Sequence, residues 1–82
     1  MKLELNLLRF LRAGRGVSTP EEQLRDDARQ VTTPVPSSAD LNEAFQTLEQ
    51  NGWAVWSRDS LTHQVRWAIT GEGEMELAKR KL

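Results

Sequence analysis

The sequence predicts an α+β fold in which three helices precede an antiparallel hairpin and a fourth helix. Three observations carry this expectation. An apolar ladder of Leu41, Ala44, Phe45 and Leu48 has helical spacing and stops at Asn51-Gly52. Two alternating runs follow, Trp53 to Ser57 and Gln64 to Ile69, with the turn-forming Arg58-Asp59-Ser60 between them. The second run closes into Thr70-Gly71-Glu72-Gly73, which suits the capped start of a last helix.

The first helix is expected over residues 2–14. Leu3, Leu7, Phe10 and Leu11 fall on one face, Arg9, Arg12 and Arg15 lie roughly opposite, and Gly14 and Gly16 end the segment. Met1, Leu5 and Leu8 are left on a second side and are too apolar for a fully solvated face. They predict that this helix is covered twice, by the C-terminal helix or by a second chain. The second helix is expected over 20–31. Thr19-Pro20-Glu21-Glu22 offers a capping hydroxyl, a proline at the first helical position and a glutamate that can reach back to the cap. Leu24, Ala28 and Val31 form its narrow apolar stripe, and Thr32-Thr33-Pro34-Val35-Pro36 cannot continue it.

The third helix, expected over 38–51, takes Ser37 or Ser38 as its cap and Gly52 as its left-handed stop. Its side opposite the ladder shows Ala39, Glu43, Gln46 and Gln50, flanked by Asn42 and Thr47. The hairpin is expected over 53–70. Trp53 and Val55 are read on the core phase with Val65, Trp67 and Ile69, and Trp56 on the opposite phase with Ala54, near Arg66 across the hairpin. The last helix, 71–82, presents Met75, Ala78 and Leu82 on one face, with Lys79, Arg80 and Lys81 at the end where cations suit the dipole.

Composition narrows the function. The 82 residues make one small domain, 1–82, and 38% hydrophobic with 28% charged residues is ordinary for a soluble globular chain. There is no cysteine, which excludes a disulfide framework and thiolate metal sites and fits a cytoplasmic location. Glu4 and Arg9 interrupt the apolar N-terminus, which is therefore not read as a signal peptide. No apolar run approaches the roughly 20 residues that span a bilayer, so no membrane partner is expected. The net charge of −1 lacks the basic excess usual in a dedicated nucleic-acid binder.

The run Leu41-x-x-Ala44-Phe45-x-x-Leu48-Glu49-x-Asn51-Gly52-Trp53-x-Val55, followed by Trp67-Ala68-Ile69-Thr70-Gly71-Glu72-Gly73, resembles the winged helix-turn-helix superfamily of small bacterial and phage transcription regulators. With the two preceding helices the resemblance covers nearly the whole chain. The connection before the third helix is longer than the tight turn of many helix-turn-helix units. The resemblance implies that the third helix reads double-stranded DNA and that the hairpin is a wing beside it.

The residues qualify that implication. Between Ser37 and Gly52 stand Asp40, Glu43 and Glu49 with no Lys or Arg, a formal charge of −3. Phosphate neutralisation supplies most protein–DNA affinity, and this helix offers none. It does offer Asn42, Gln46 and Gln50 at a spacing of four, with Glu43 beside them, as candidates for base edges. Arg25, Arg29, Ser38, Arg58 and Arg66 are the candidates for phosphate. The same amides also suit a plain solvated face, and Arg25 can pair with Glu21 or Glu22 on the surface. Arg9, Arg12 and Arg15 read as a solvated stripe.

A protein-contact reading competes with DNA. The acidic third helix or Trp56 would carry it, with Met1, Leu5 and Leu8 as a further apolar interface and a homodimer through the first and last helices. Burial of Trp56 under the C-terminal helix is the structural alternative. Enzyme readings are poor. His63 is the only histidine and lies near the hairpin turn, with no second ligand or nucleophile at a useful spacing, so no metal, catalytic residue or cofactor is expected.

Overall fold

The computed structural model describes residues 2–14 and 17–80, so the expectations placed on Met1, Arg15, Gly16, Lys81 and Leu82 lie outside the described residues. The elements in order are α1 (Lys2–Ala13), β1 (Thr19–Pro20), α2 (Glu21–Val31), α3 (Ser38–Gln50), β2 (Ala54–Arg58), β3 (Val65–Ile69) and α4 (Gly71–Lys79). The three strands form one antiparallel sheet in the order β1-β3-β2.

Helix α1 runs through the middle of the molecule, packing against α2, α3, α4 and β3. That position explains its two apolar sides. Leu7, Leu8 and Leu11 are buried, and Leu3, Leu5 and Phe10 pack partly buried against the same core. Leu8, expected at a protein interface, is 0% exposed within the single chain. It is therefore a core residue, and the last helix supplies the cover, with Leu77 buried in the same cluster.

The start of α2 differs from the expected capping box. Thr19 pairs with Trp67 as part of β1, and the cap position falls to Pro20, which makes no side-chain cap bond. Thr19 lies in the ladder instead of turning into a helix. Pro20 faces Arg66 across the pair; as the alternate position of an antiparallel ladder this requires no donor from proline. Leu24 and Ala28 are buried as expected, whereas Val31 at the helix end is 53% exposed.

Helix α3 follows its sequence signals closely. Ser37 caps it through a hydroxyl that accepts from Asp40 N–H at 3.1 Å, and the Asp40 carboxylate accepts from Ser37 N–H at 3.0 Å. Leu41, Ala44, Phe45 and Leu48 are all buried. At the far end Gly52 adopts φ 72°, its N–H bonds Glu49 O at 3.0 Å, and Trp53 N–H bonds Leu48 O at 3.0 Å. This pair of bonds is a Schellman stop, for which glycine has no Cβ penalty.

The hairpin register corrects the expected strand phase. Ala54 pairs with Ile69, Trp56 with Trp67, and Arg58 with Val65. Directly paired residues share a face, so the inner phase of β2 carries Ala54, Trp56 and Arg58. Ala54 is buried, while Val55, expected in the core, is exposed. Trp53 packs partly buried against the core just before the strand. A shift of one residue moves every side chain of a strand to the other face.

The Thr-x-x-Gly sequence that closes β3 joins three segments at one point. Thr70 N–H bonds Trp53 O at 3.0 Å, its hydroxyl donates to Gly52 O at 2.6 Å, and the same oxygen accepts from Gly73 N–H at 3.0 Å. A Cβ on Gly73 would lie 2.2 Å from Trp53 O and 2.8 Å from Ile69 Cγ1. Glycine is needed there because α4 approaches the backbone after α3 this closely. The approach also sets the phase of α4. Gly73 and Leu77 face inward, while Met75, expected on the buried face with Ala78, is 64% exposed and Ala78 is exposed as well.

Candidate functional site

The outer surface of α3, the start of α2 and the hairpin form one continuous side of the molecule, held together from beneath by aromatic residues. Phe45 of α3 stacks on Trp67 of β3 at 5.0 Å between ring centroids. The Arg25 guanidinium lies 5.3 Å from the Phe45 ring centroid on the cation–π side. Glu21 joins the two ends of this stack. One carboxylate oxygen accepts from the Trp67 indole N–H at 2.9 Å and the other from Arg25 Nε at 3.2 Å. Arg25 also donates to Asn42 Oδ1.

This arrangement occupies Arg25. Its side chain is only 19% exposed and its donors are directed to Glu21 and Asn42. It ties α2 to α3 instead of standing free to clamp a DNA backbone. Asn42 is exposed, but its carbonyl oxygen is committed to the same contact. Arg29 pairs at 3.5 Å with Asp26, a contact of marginal length on the surface.

The two hairpin arginines lie on opposite faces of the sheet. Arg58 shares the face of Trp56, which is the α3 side, because the Trp56 indole N–H donates to Glu49 of α3 at 2.6 Å. Arg66 pairs with Ser57 on the outer face. There its guanidinium is bound to Ser18 just before β1, donating to the hydroxyl at 2.9 Å and to the carbonyl at 2.7 Å. Arg66 therefore does not meet Trp56 and does not share a surface with α3. Arg58 is exposed and has no ion pair among the described residues.

Glu43, Gln46 and Gln50 are exposed, and among the described residues their side chains make no hydrogen bond, although the Thr47 hydroxyl donates to the Glu43 carbonyl at 3.0 Å. Ser38 is exposed too, yet the position where a helix start would hold a phosphate is filled by the Asp40 carboxylate in the capping box. The hairpin turn is organised by Asp59. Its Oδ1 accepts from Leu61 N–H at 2.8 Å and Thr62 N–H at 3.2 Å. These two backbone bonds, with a smaller contribution from the nearby Arg66 charge, hold its carboxyl below the ordinary value of 3.8. His63 takes φ 60° in this turn and is exposed.

Sequence reasoning grouped Asn42, Glu43, Gln46 and Gln50 with Arg25, Arg29, Ser38, Arg58 and Arg66, and of the two hairpin arginines only Arg58 lies on the α3 side of the sheet. It did not foresee Ser18 as the partner of Arg66 or Glu49 as the partner of Trp56. Only the strand phase could have indicated either. Residues 19–52, which span α2 and α3, hold seven acidic side chains against Arg25 and Arg29, a formal charge of −5. The helical side of the site is therefore more acidic than the chain as a whole. Among the described residues no group of three or more His, Cys, Asp and Glu could hold a metal ion, and no helix is long and apolar enough to cross a membrane.

No protein-family model and no curated protein matches the chain. Its fold is similar to that of a crystal structure from Thermoplasma acidophilum, a candidate transcriptional regulator. The TM-score is 0.73 at 15% sequence identity, covering 95% of this chain and 73% of the other. At that identity the likeness is one of fold alone.

Proposed function

We propose that this chain is a winged helix of the transcription-regulator kind that binds duplex DNA, with α3 facing the bases and the β2–β3 hairpin on the backbone as a wing. The observation that carries this reading is the exposed stripe of Glu43, Gln46 and Gln50 on α3, with Arg58 on the same side of the sheet. Amides can pair with adenine edges and a glutamate can accept from cytosine N4. The phosphate grip is small. Arg58 and Arg29 provide it, since Arg25 and Arg66 are held by partners within the chain. Selection from a random-sequence duplex pool tests the base contacts. The native chain enriches a defined motif, and the paired change Gln46→Ala with Gln50→Ala loses it while remaining folded. Enrichment of the same motif by that variant contradicts the assignment.

A second reading is favoured by the charge of −5 over α2 and α3 and by the half-exposed Trp56 beside Glu49. In it the same side of the winged helix contacts a protein. Exposed tryptophans are common anchors of such contacts.

A further inference from the structure

The sheet order β1-β3-β2 leaves β2 as an edge strand. Asp59 N–H bonds Gln64 O at one end of the hairpin, and Thr70 N–H bonds Trp53 O at the other. In an antiparallel pair the bonded positions alternate. Val55 and Ser57 therefore direct their backbone groups to β3, and Ala54, Trp56 and Arg58 direct theirs away from the sheet. The pairing runs unbroken from Ala54–Ile69 to Arg58–Val65, so no bulge turns this edge aside. The strand contains no proline and no lysine, its one charged residue, Arg58, stands at its end, and Val55 to Arg58 are all exposed.

The surroundings specify what would pair there. Helix α3 packs on β2 and carries three acidic residues and no cation. The Glu49 carboxylate is fixed beside the edge by the Trp56 indole. A second copy fits poorly, because the two-fold axis of a β2–β2 pair would place both acidic α3 helices on the same side of the joined sheet. We propose that the β2 edge takes an extended, basic segment of a partner protein as a fourth strand. Its backbone bonds the outward groups of Trp56 and Arg58, and its Lys or Arg side chains meet Glu49 and the face of Trp56. The proposal deepens the protein-contact reading. Such a strand also places cations beside Glu49 of α3, a helix that carries none of its own.

The experiment uses a seven-residue peptide of alternating valine and arginine as the probe, with no DNA present, so that its failure leaves the DNA reading standing. At saturation the amides of Trp56 and Arg58 exchange with solvent about tenfold more slowly or better, while those of Val55 and Ser57, already bonded, change less. The same peptide with glutamate in place of arginine binds about tenfold more weakly, because its charges oppose those of α3. Trp56→Pro removes an outward N–H without breaking the β2–β3 ladder and abolishes binding. A probe N-methylated on its strand-facing amides fails against the unaltered protein, which covers the case of a misfolded variant. Unchanged exchange of both amides at saturating peptide overturns the proposal. So does a sedimentation profile showing a dimer whose Trp56 and Arg58 amides are protected without peptide.

Discussion

Two glycines five residues or fewer from the end of β3 differ sharply in what surrounds them, and that difference shows how tertiary contact assigns a role to a residue. Gly71 has open space where a Cβ would go, while Gly73 has Trp53 O and Ile69 Cγ1. Gly71→Ala is expected to leave stability unchanged or raise it by about 0.4–1 kcal/mol through the unfolded chain. Gly73→Ala forces α4 away from the backbone after α3 and costs about 1–3 kcal/mol, as overpacking does. Urea unfolding of both variants checks the pair. The arginines divide in the same way. Arg25→Ala removes the contacts to Glu21, Asn42 and Phe45 and is expected to cost about 1–2 kcal/mol. Arg58→Ala, at an exposed site, is expected to stay within about 0.5 kcal/mol of the native chain. Nothing near Arg25 in the sequence reveals this. Glu21 is visible as a helical neighbour, but Phe45, Asn42 and Trp67 arrive from other elements.

At the scale of elements, the legibility of each segment followed from how many independent signals it carried. Helix α3 has a four-residue apolar stripe, a serine cap and a glycine stop, and all three are present in the structure. Strand β1 is two residues long and has no period to read, and Thr19-Pro20 has the composition of a helix start. In the run from Trp53 through β2 the alternation is ambiguous because both phases hold a tryptophan and a small or branched apolar residue: Trp53 with Val55, and Ala54 with Trp56. Only the pairing with Trp67 decides between them. Helix α4 has too few apolar residues to define a stripe, and its phase comes from the approach at Gly73. The hairpin turn gives a pH-dependent expectation. Because the Asp59 carboxyl titrates below 3.8 when folded, the turn is stabilised above that value and loses the stabilisation as pH falls through the folded pKa. An NMR titration is expected to show the amides of Leu61 and Thr62 shifting together with the Asp59 carboxyl below pH 3.8. A midpoint above 3.8 contradicts the bonding pattern.

On the scale of the whole molecule, the proposed binding of DNA and the charge distribution point in different directions. The four helices and three-stranded antiparallel sheet share the fold of a solved structure that is 15% identical to this chain. The surface it displays has an acidic helical side, with the cations of α2 and β3 largely turned to partners within the chain. The order of the four helices and of the β2–β3 hairpin was readable because apolar spacing and punctuation determine it, whereas β1 was not. The orientation of surface arginines was not, since it depends on which face each strand turns toward α3. In the proposed function α3 and Arg58 bind duplex DNA with a small phosphate grip. A titration of labelled duplex DNA at about 50 and about 200 mM salt tests it most directly. Two phosphate contacts predict a loss of about tenfold in affinity between those salts, and Arg58→Ala weakens binding and flattens that dependence. Absence of binding at the lower salt, or binding that Arg58→Ala leaves unchanged in strength and salt dependence, contradicts this function.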